Sequence, residues 1–449
     1  MSEHARNDYS TIFALSSAPG RAGVAVVRIS GSRALSTLNA LAGCVPPTRM
    51  ATLKALRDPC TGELLDEALV LCFPRPNSFT GEDVVELHIH GGRAVVDGVL
   101  SALAGQDGLR MAEAGEFARR AFENGKLDLT RVEGLADLID AETEAQRRQA
   151  VEQMGGALER LYGGWRERLI GAQALMEAGL DFSDEADVLD RVIDEAVTAV
   201  RALSSEISDH LDDGRRGEIL RSGYRVVLAG PTNAGKSSLL NALAGRDAAI
   251  VSAEAGTTRD VIEVHLNLAG YPVIVSDTAG VRETTGEIES EGIRRTVDRM
   301  RNADLVVWLS DATATDQDPI DEIDVIADQR LAVQNKVDLL TSEMRAVGDA
   351  LPISALTGEG VRELVDHIAA HAKSRLEHGS GPTPTNARQR QHLENCRVAL
   401  ERFLAANDTS PELRAEDLRQ AADALGRITG HIDVENILDK IFAGFCIGK

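Results

Sequence analysis

The spacing of hydrophobic positions changes along the chain and marks out its parts. Up to about residue 125, short β-rich runs (Val24 to Ile29, Ala68 to Phe73, Val84 to Ile89) are separated by Gly/Pro turns, which predicts an α+β domain. From about 127 to 218 the texture becomes Glu/Ala/Leu/Arg-rich with helical spacing, as in VEGLADLIDAETEAQRRQAVEQM. Between 224 and about 375, apolar strands alternate with amphipathic helices, the sign of a doubly wound parallel sheet. EHGSGPTPTNA, 377–387, reads as a linker. Helical spacing then resumes in RQRQHLENCRVALERFLAA, continues from a Ser410-Pro411 helix start, and returns in DVENILDKIFAGF.

Helical segments therefore flank the α/β segment on both sides. The economical assembly is an α/β domain inserted into one discontinuous helical domain, with separate helical units as the alternative. The expected fold class is multidomain: α+β over 1–125, helical over 126–220, an α/β domain over 221–378 that the GPTNAGKS run at 230–237 marks as Ras-like and phosphate-loop-bearing, and helical again over 379–449.

A chain of 449 residues is too long for one ordinary core and predicts roughly three domains of ~150 residues. Hydrophobic residues at 43% supply packed cores, while aromatics make up only 3%. The net charge of −23 argues against wrapping nucleic acid over a broad surface. Five scattered cysteines without metal-ligand spacing read as reduced thiols. The first residues, MSEHARNDYS, contain no apolar signal region, and no apolar stretch reaches the ~18 residues needed to cross a bilayer. A soluble cytoplasmic protein with no membrane partner is expected.

The chemistry concentrates in RVVLAGPTNAGKSSLLNAL. An apolar strand leads into Gly230-Pro231-Thr232-Asn233-Ala234-Gly235-Lys236-Ser237, and Ser238 continues into a helix. This phosphate-loop pattern lets backbone N–H groups and a helix N-terminus converge on phosphate oxygens. Lys236 would reach the β/γ-phosphates and the Ser237 hydroxyl would ligate Mg²⁺. Three elements follow in order. Thr258 in AGTTRD is the candidate to close on Mg²⁺ and the γ-phosphate. Asp277, ahead of Thr278, Ala279 and Gly280, would hold Mg²⁺ through water, with the Gly280 N–H facing the γ-phosphate. In NKVD, Asn335 and Lys336 precede Asp338, which would accept from guanine N1–H and the exocyclic amine. Adenine would leave that carboxylate unpaired, so GTP is expected over ATP. Ser354 and Ala355 in ISALTGEG supply the last base-contacting loop.

One position breaks the pattern. Many small GTPases place a water-orienting Gln just after this glycine, but here the residue is Val281, which has no polar side-chain atom. The acidic candidates downstream are Glu283, Glu287, Glu289 and Glu291.

With these motifs the chain resembles the tRNA wobble-uridine modification GTPases known as MnmE or TrmE, within the TrmE-Era-EngA-like GTPases. APGRAGVAVVRISG (18–31), NSFTGEDVVELHIHGG (77–92), GEFARRAFENGKLDL (115–129), DLIDAETEAQ (137–146), NAGKSSLLNALAG (233–245), AGTTRD and the closing FCIGK carry the likeness. It implies a tetrahydrofolate-binding N-terminal domain that also forms a homodimer, and a G domain inserted into a helical domain. It also implies an FAD-dependent partner, MnmG or GidA, in a heterotetramer or larger complex that engages tRNA. The implied reaction adds an aminomethyl or carboxymethylaminomethyl group to carbon 5 of the wobble uridine, using a 5,10-methylene- or 5-formyl-tetrahydrofolate unit. GTP hydrolysis would accompany G-domain association, with K⁺ in the place of an arginine finger.

By position, the resemblance assigns K⁺ to Asn233, Ser252, Glu254 and Thr257, and Mg²⁺ to Ser237 and Thr258. It assigns the attacking water to Glu289, twelve residues past Asp277. For folate it selects Arg28, Glu86, Lys126 and the terminal Lys449, with a catalytic or positioning role for Cys446. A Glu can grip the amino-pyrimidine edge of a pterin, while Arg and Lys suit its carboxylated tail. Thr232, Ser252, Ile89 and Leu356 depart from common family residues without removing a named contact type, except that Leu356 loosens one base-stacking contact. An RNA-binding ribosome-assembly GTPase is the alternative, but it would bring a basic RNA-binding appendage, and the tail here is acidic-neutral and helical.

Overall fold

A computed structural model of the chain describes residues 10–181, 186–246, 248–250, 263–277, 297–314, 329–340, 350–377, 381–405, 411–432, 435–445 and 447–448. The chain sorts into two compact units, Met1–Ala136 with Glu159–Arg166 and Leu425–Lys449, and Asp137–Leu158 with Glu167–Ala424.

In the first unit, β1 (Thr11–Leu15), β2 (Ala22–Ser30), β3 (Thr52–Arg57), β4 (Leu64–Phe73), β5 (Val84–Gly91) and β6 (Leu109–Met111) form one sheet of order β3-β4-β5-β2-β1-β6. Each of the three β runs marked by the hydrophobic pattern lies inside a longer strand. β6 joins β1 in parallel and the other neighbours are antiparallel. Strand alternation decides what is covered. Val27, Ile29, Val85, Leu87 and Ile89 are buried against the helices Ala34–Ala42 and Arg93–Ala104. The alternate residues Arg28 and Glu86 face each other across β2 and β5 on the opposite side.

A polar network closes this unit beside the helix Glu116–Glu123. The buried Arg120 donates to Glu82, Glu116 and the Ser10 carbonyl, and Arg110 forms a forked pair with Glu116. A buried guanidinium with this many acceptors is compensated for lost hydration, which a single partner would not achieve. Near the end of the chain, Phe442 and Phe445 pack with Ala118 and Val132. Beyond them, the Ser16 hydroxyl donates to the Gly448 carbonyl at 2.9 Å.

The second unit contains β7 (Tyr224–Ala229), β8 (Glu263–Leu268), β9 (Tyr271–Asp277), β10 (Leu305–Asp311), β11 (Arg330–Asn335) and β12 (Leu351–Pro352) in the order β12-β11-β10-β7-β9-β8. All pairs are parallel except β8–β9. The apolar run Val226–Ala229 of β7 follows from cover on both faces. Val226 and Leu228 enter one core, while Val227 and Ala229 enter another with Met300 and Val306. The antiparallel edge arises because β8 and β9 are joined by only Ala269-Gly270, both at positive φ (52° and 89°), the geometry of a tight hairpin turn.

Helices flank this sheet in sequence: Glu144–Met154, Ala157–Asp181, Ala186–Leu211 and Arg216–Ser222 before it, Val361–Glu377, Ala387–Ala405 and Pro411–Thr429 after it. Thr143 and Gln146 form a capping box at the start of Glu144–Met154. Arg390 ties the two flanks together. Its guanidinium pairs with Asp213 at 2.6 Å and with Glu218, and it donates to the Leu211 carbonyl at 2.9 Å. Among the described residues, no helix is long and apolar enough to cross a membrane.

Asp128 precedes the helix Leu129–Asp140 and accepts from the Arg131 N–H and the Thr130 hydroxyl, both at 2.9 Å. Burial nonetheless pushes its pKa up to about 6. A carboxyl raised above its unfolded value favours the protonated form when folded, so stability is gained as pH falls through about 6 and is absent at pH 7 and above. Hydrogen-exchange protection of this helix, corrected for intrinsic rates, should rise between pH 7.5 and 5. Asp128→Asn, which keeps the cap, should raise protection at pH 7.5 and flatten the dependence.

Candidate functional site

The loop between β7 and the helix Lys236–Ala244 is shaped by close backbone approach. A Cβ at Gly230, whose φ is +138°, would lie 2.1 Å from the Leu309 carbonyl oxygen. At Gly235, φ +97°, it would lie 2.2 Å from Asn335 Nδ2. Only glycine fits either place. Asn233 is exposed in the left-handed region at φ 67°, a conformation Asn tolerates better than most residues.

Lys236 is 7% exposed, and its ammonium donates to the Gly230 and Pro231 carbonyls at 2.7 and 2.8 Å. Burial lowers its pKa, and the Asp277 carboxylate partly offsets that. These carbonyls carry no net charge, so the loop holds a desolvated cation to which phosphate would bring the missing anion. The Ser237 hydroxyl donates to Asp277 Oδ2 at 2.8 Å, and Asp277, at the end of β9, is buried. Two hard oxygen donors in contact fit Mg²⁺. No group of three or more His, Cys, Asp or Glu residues that could hold a metal occurs among the described residues.

The NKVD and ISALTGEG segments are tied to the phosphate loop through Asn335. Its amide donates to the Ala234 carbonyl at 2.7 Å and accepts from the Ala355 N–H at 2.9 Å. Lys336, at φ 67°, pairs with Asp311 at 2.6 Å and turns the chain into Val337–Leu339, which presents the half-buried Asp338. Ser354 is buried, and its hydroxyl accepts from the Thr357 N–H at 3.1 Å. Leu356 is 86% exposed. Asp311 was not singled out by motif. Its signal is positional, because it ends β10 in register with Asn335.

Thus Asn233, Ala234, Gly235, Lys236, Ser237, Asp277, Asn335, Lys336, Asp338, Ser354 and Ala355 converge at the C-terminal ends of the parallel strands. Ser238, exposed on the helix that follows the loop, lies beside them. Ser252, Glu254, Thr257, Thr258, Thr278, Ala279, Gly280, Val281 and Glu289 lie outside the described residues, as do Cys446 and Lys449.

The first unit holds a second candidate site, a cavity of about 510 Å³ walled by Phe73, Phe79, Val84, Glu86, Lys126 and Arg49. Glu86 and Lys126 are therefore brought together. Arg28 is not on the wall. It donates to Glu86 Oε1 through Nε and Nη2 at 3.1 and 2.8 Å, with its guanidinium 5.2 Å from the Phe79 ring centre and 5.7 Å from that of Phe117. Through these two bonds Arg28 holds Glu86. Arg49, which sequence reading missed, has no motif around it. A larger cavity of about 680 Å³ lies elsewhere in the second unit, with Asp209, His210 and Arg375 on its wall. Burial pushes His210 down to about 4, leaving it neutral at pH 7.

Two family models match the chain: GTP-binding protein TrmE N-terminus over residues 11–126 and MnmE helical domain over 129–446. The tRNA modification GTPase MnmE of Paramagnetospirillum magneticum is 54% identical over 443 residues, covering 98% of this chain and 99% of its own. That of Parvibaculum lavamentivorans is 55% identical over 443 residues, covering 98% and 100%. Among solved structures, the G domain of the T. maritima FeoB iron transporter is similar at 25% identity and TM-score 0.25, covering 33% of this chain and 98% of its own. Near-full-length identity above one half, together with both family models, places this chain in the MnmE (TrmE) family of tRNA modification GTPases.

Proposed function

We propose that the protein hydrolyses GTP in the service of tRNA wobble-uridine modification, with domain borders near residues 125, 220 and 378. The observation that carries this reading is the joint placement of Lys236, Ser237 and Asp277 beside an Asn335 that links the phosphate and base loops. Mg²⁺, held by Ser237 with Thr258 and by Asp277 through water, would neutralise charge on the transferring phosphoryl group. K⁺ would be held by Asn233, Ser252, Glu254 and Thr257. Glu289 would orient the attacking water in place of the side chain that Val281 lacks.

The same reading assigns the first unit to a tetrahydrofolate carrier, with Glu86 gripping the pterin edge, Lys126 and Lys449 near the tail, and Cys446 nearby. It also assigns homodimerisation to this unit. Leu53 and Leu69 support that assignment, because they stand opposite each other on β3 and β4 while 64% and 45% exposed. An FAD-dependent partner of the MnmG type and tRNA complete the cytoplasmic assembly.

GTP turnover should be at least tenfold faster in K⁺ than in Na⁺, the scale of one charge placed at the transition state. Asn233→Ala should abolish that difference, and equal wild-type rates in both salts would refute the K⁺ assignment. Glu289→Ala should lower turnover by roughly 100-fold or more with GTP affinity kept. Asp338→Asn should weaken GTP binding by roughly 100-fold and improve binding of xanthosine triphosphate, whose C2 oxygen matches an amide donor; retained GTP affinity would remove Asp338 from base recognition. In the first unit, Glu86→Gln should lower 5-formyl-tetrahydrofolate affinity by roughly tenfold or more by calorimetry.

A further inference from the structure

The cavity in the first unit is electrically lopsided. Its one carboxylate, Glu86, is already paired with Arg28. Its two cations, Arg49 and Lys126, have no acidic partner among the described residues. Each instead donates to a backbone carbonyl of one loop, Lys126 to Pro76 at 2.9 Å and Arg49 to Asn77. Those carbonyls belong to consecutive residues, so the two cations converge on one stretch of rim.

Arg49 is held there by more than its side chain. Its backbone sits in the left-handed region at φ 60°, its N–H donates to the Cys72 carbonyl at 2.9 Å, and its guanidinium lies 5.4 Å from the centre of the Phe73 ring. Phe73 is in register with Val84, the first residue of β5, while Glu86 is two residues further into the sheet. At about 3.3 Å per strand residue, the carboxylate lies some way inward from the cationic rim.

We propose that Arg49 is a specificity-determining residue that, with Lys126, receives the carboxylates of a γ-linked oligoglutamate tail, so that the cavity prefers a polyglutamylated carrier. The inference rests on the tetrahydrofolate reading of this cavity. Carboxylates would supply the charge that the Pro76 and Asn77 carbonyls lack, and the fork of N–H donors on the Arg49 guanidinium, next to the Phe73 ring, suits a planar acceptor. Arg28 belongs to the other end as a positioning residue, because its hydrogen bonds fix Glu86. Since Arg49 is exposed and Lys126 only half-buried, the preference should come from several weak pairs rather than one strong contact.

The full-length protein is titrated calorimetrically with 5-formyl-tetrahydrofolate carrying one or five glutamates, and with the tail-less 5-formyl-tetrahydropterin. Wild type should bind the five-glutamate form roughly fivefold or more tighter than the one-glutamate form, with a steeper salt dependence. Arg49→Gln should bring that ratio near one while binding the tail-less pterin as wild type does, and Arg49→Lys should restore part of the ratio. A wild-type ratio of one, or an unchanged ratio in Arg49→Gln, overturns the proposal. Equal loss of all three ligands in Arg49→Gln also overturns it, showing that Arg49 only shapes the loop. If wild type binds none of the three, or Glu86→Gln binds all three as well as wild type does, the tetrahydrofolate reading itself fails and takes the proposal with it.

Discussion

The side-chain amide of Asn335 is the contact on which the nucleotide site depends. It is 2% exposed and spends its donor on the phosphate loop and its acceptor on the Ala355 loop. A buried amide is costly when either end is unpaired, so the three segments hold their geometry together or not at all. Gly235 is part of the same constraint, because any Cβ there would collide with this amide. Strand order makes the meeting possible. β7 and β11 both pair with β10 in parallel, which brings their C-terminal ends to one edge of the sheet.

The first unit uses a different device. Antiparallel alternation sends its apolar residues to the helices and leaves Arg28 and Glu86 on the other face. Their pairing holds Glu86 in one orientation beside a cavity whose rim is cationic. On the proposed reading, the two units would recognise anions by unlike means. The phosphate loop would use backbone N–H groups and a desolvated lysine, while the cavity would use the exposed Arg49 and the half-buried Lys126 beside an apolar wall.

Much of the nucleotide site was legible from local patterns. Gly230, Gly235, Lys236 and Ser237 are adjacent in sequence and act as one turn, so their spacing carries the chemistry directly. The same holds for the β runs of the first unit and for the helical texture on both sides of the sheet. Arg49 was not legible, because its place depends on a hydrogen bond to Cys72 and a ring from β4. Asp311 was missed for a similar reason, since its pairing with Lys336 arises from strand register. The bond from Arg28 to Glu86, 58 residues away, was not legible either.

The sequence by itself determined the elements, the parallel sheet, the phosphate loop and the family, because each is encoded in residues within a turn or a strand of one another. Only the tertiary structure decided which charges are already paired. Asn335 spans 101 residues to reach Ala234, and Arg390 spans 177 to reach Asp213. Whether a cation is spent on a neighbour or left for a ligand depends on those distant contacts, through desolvation and partner geometry that no local spacing contains.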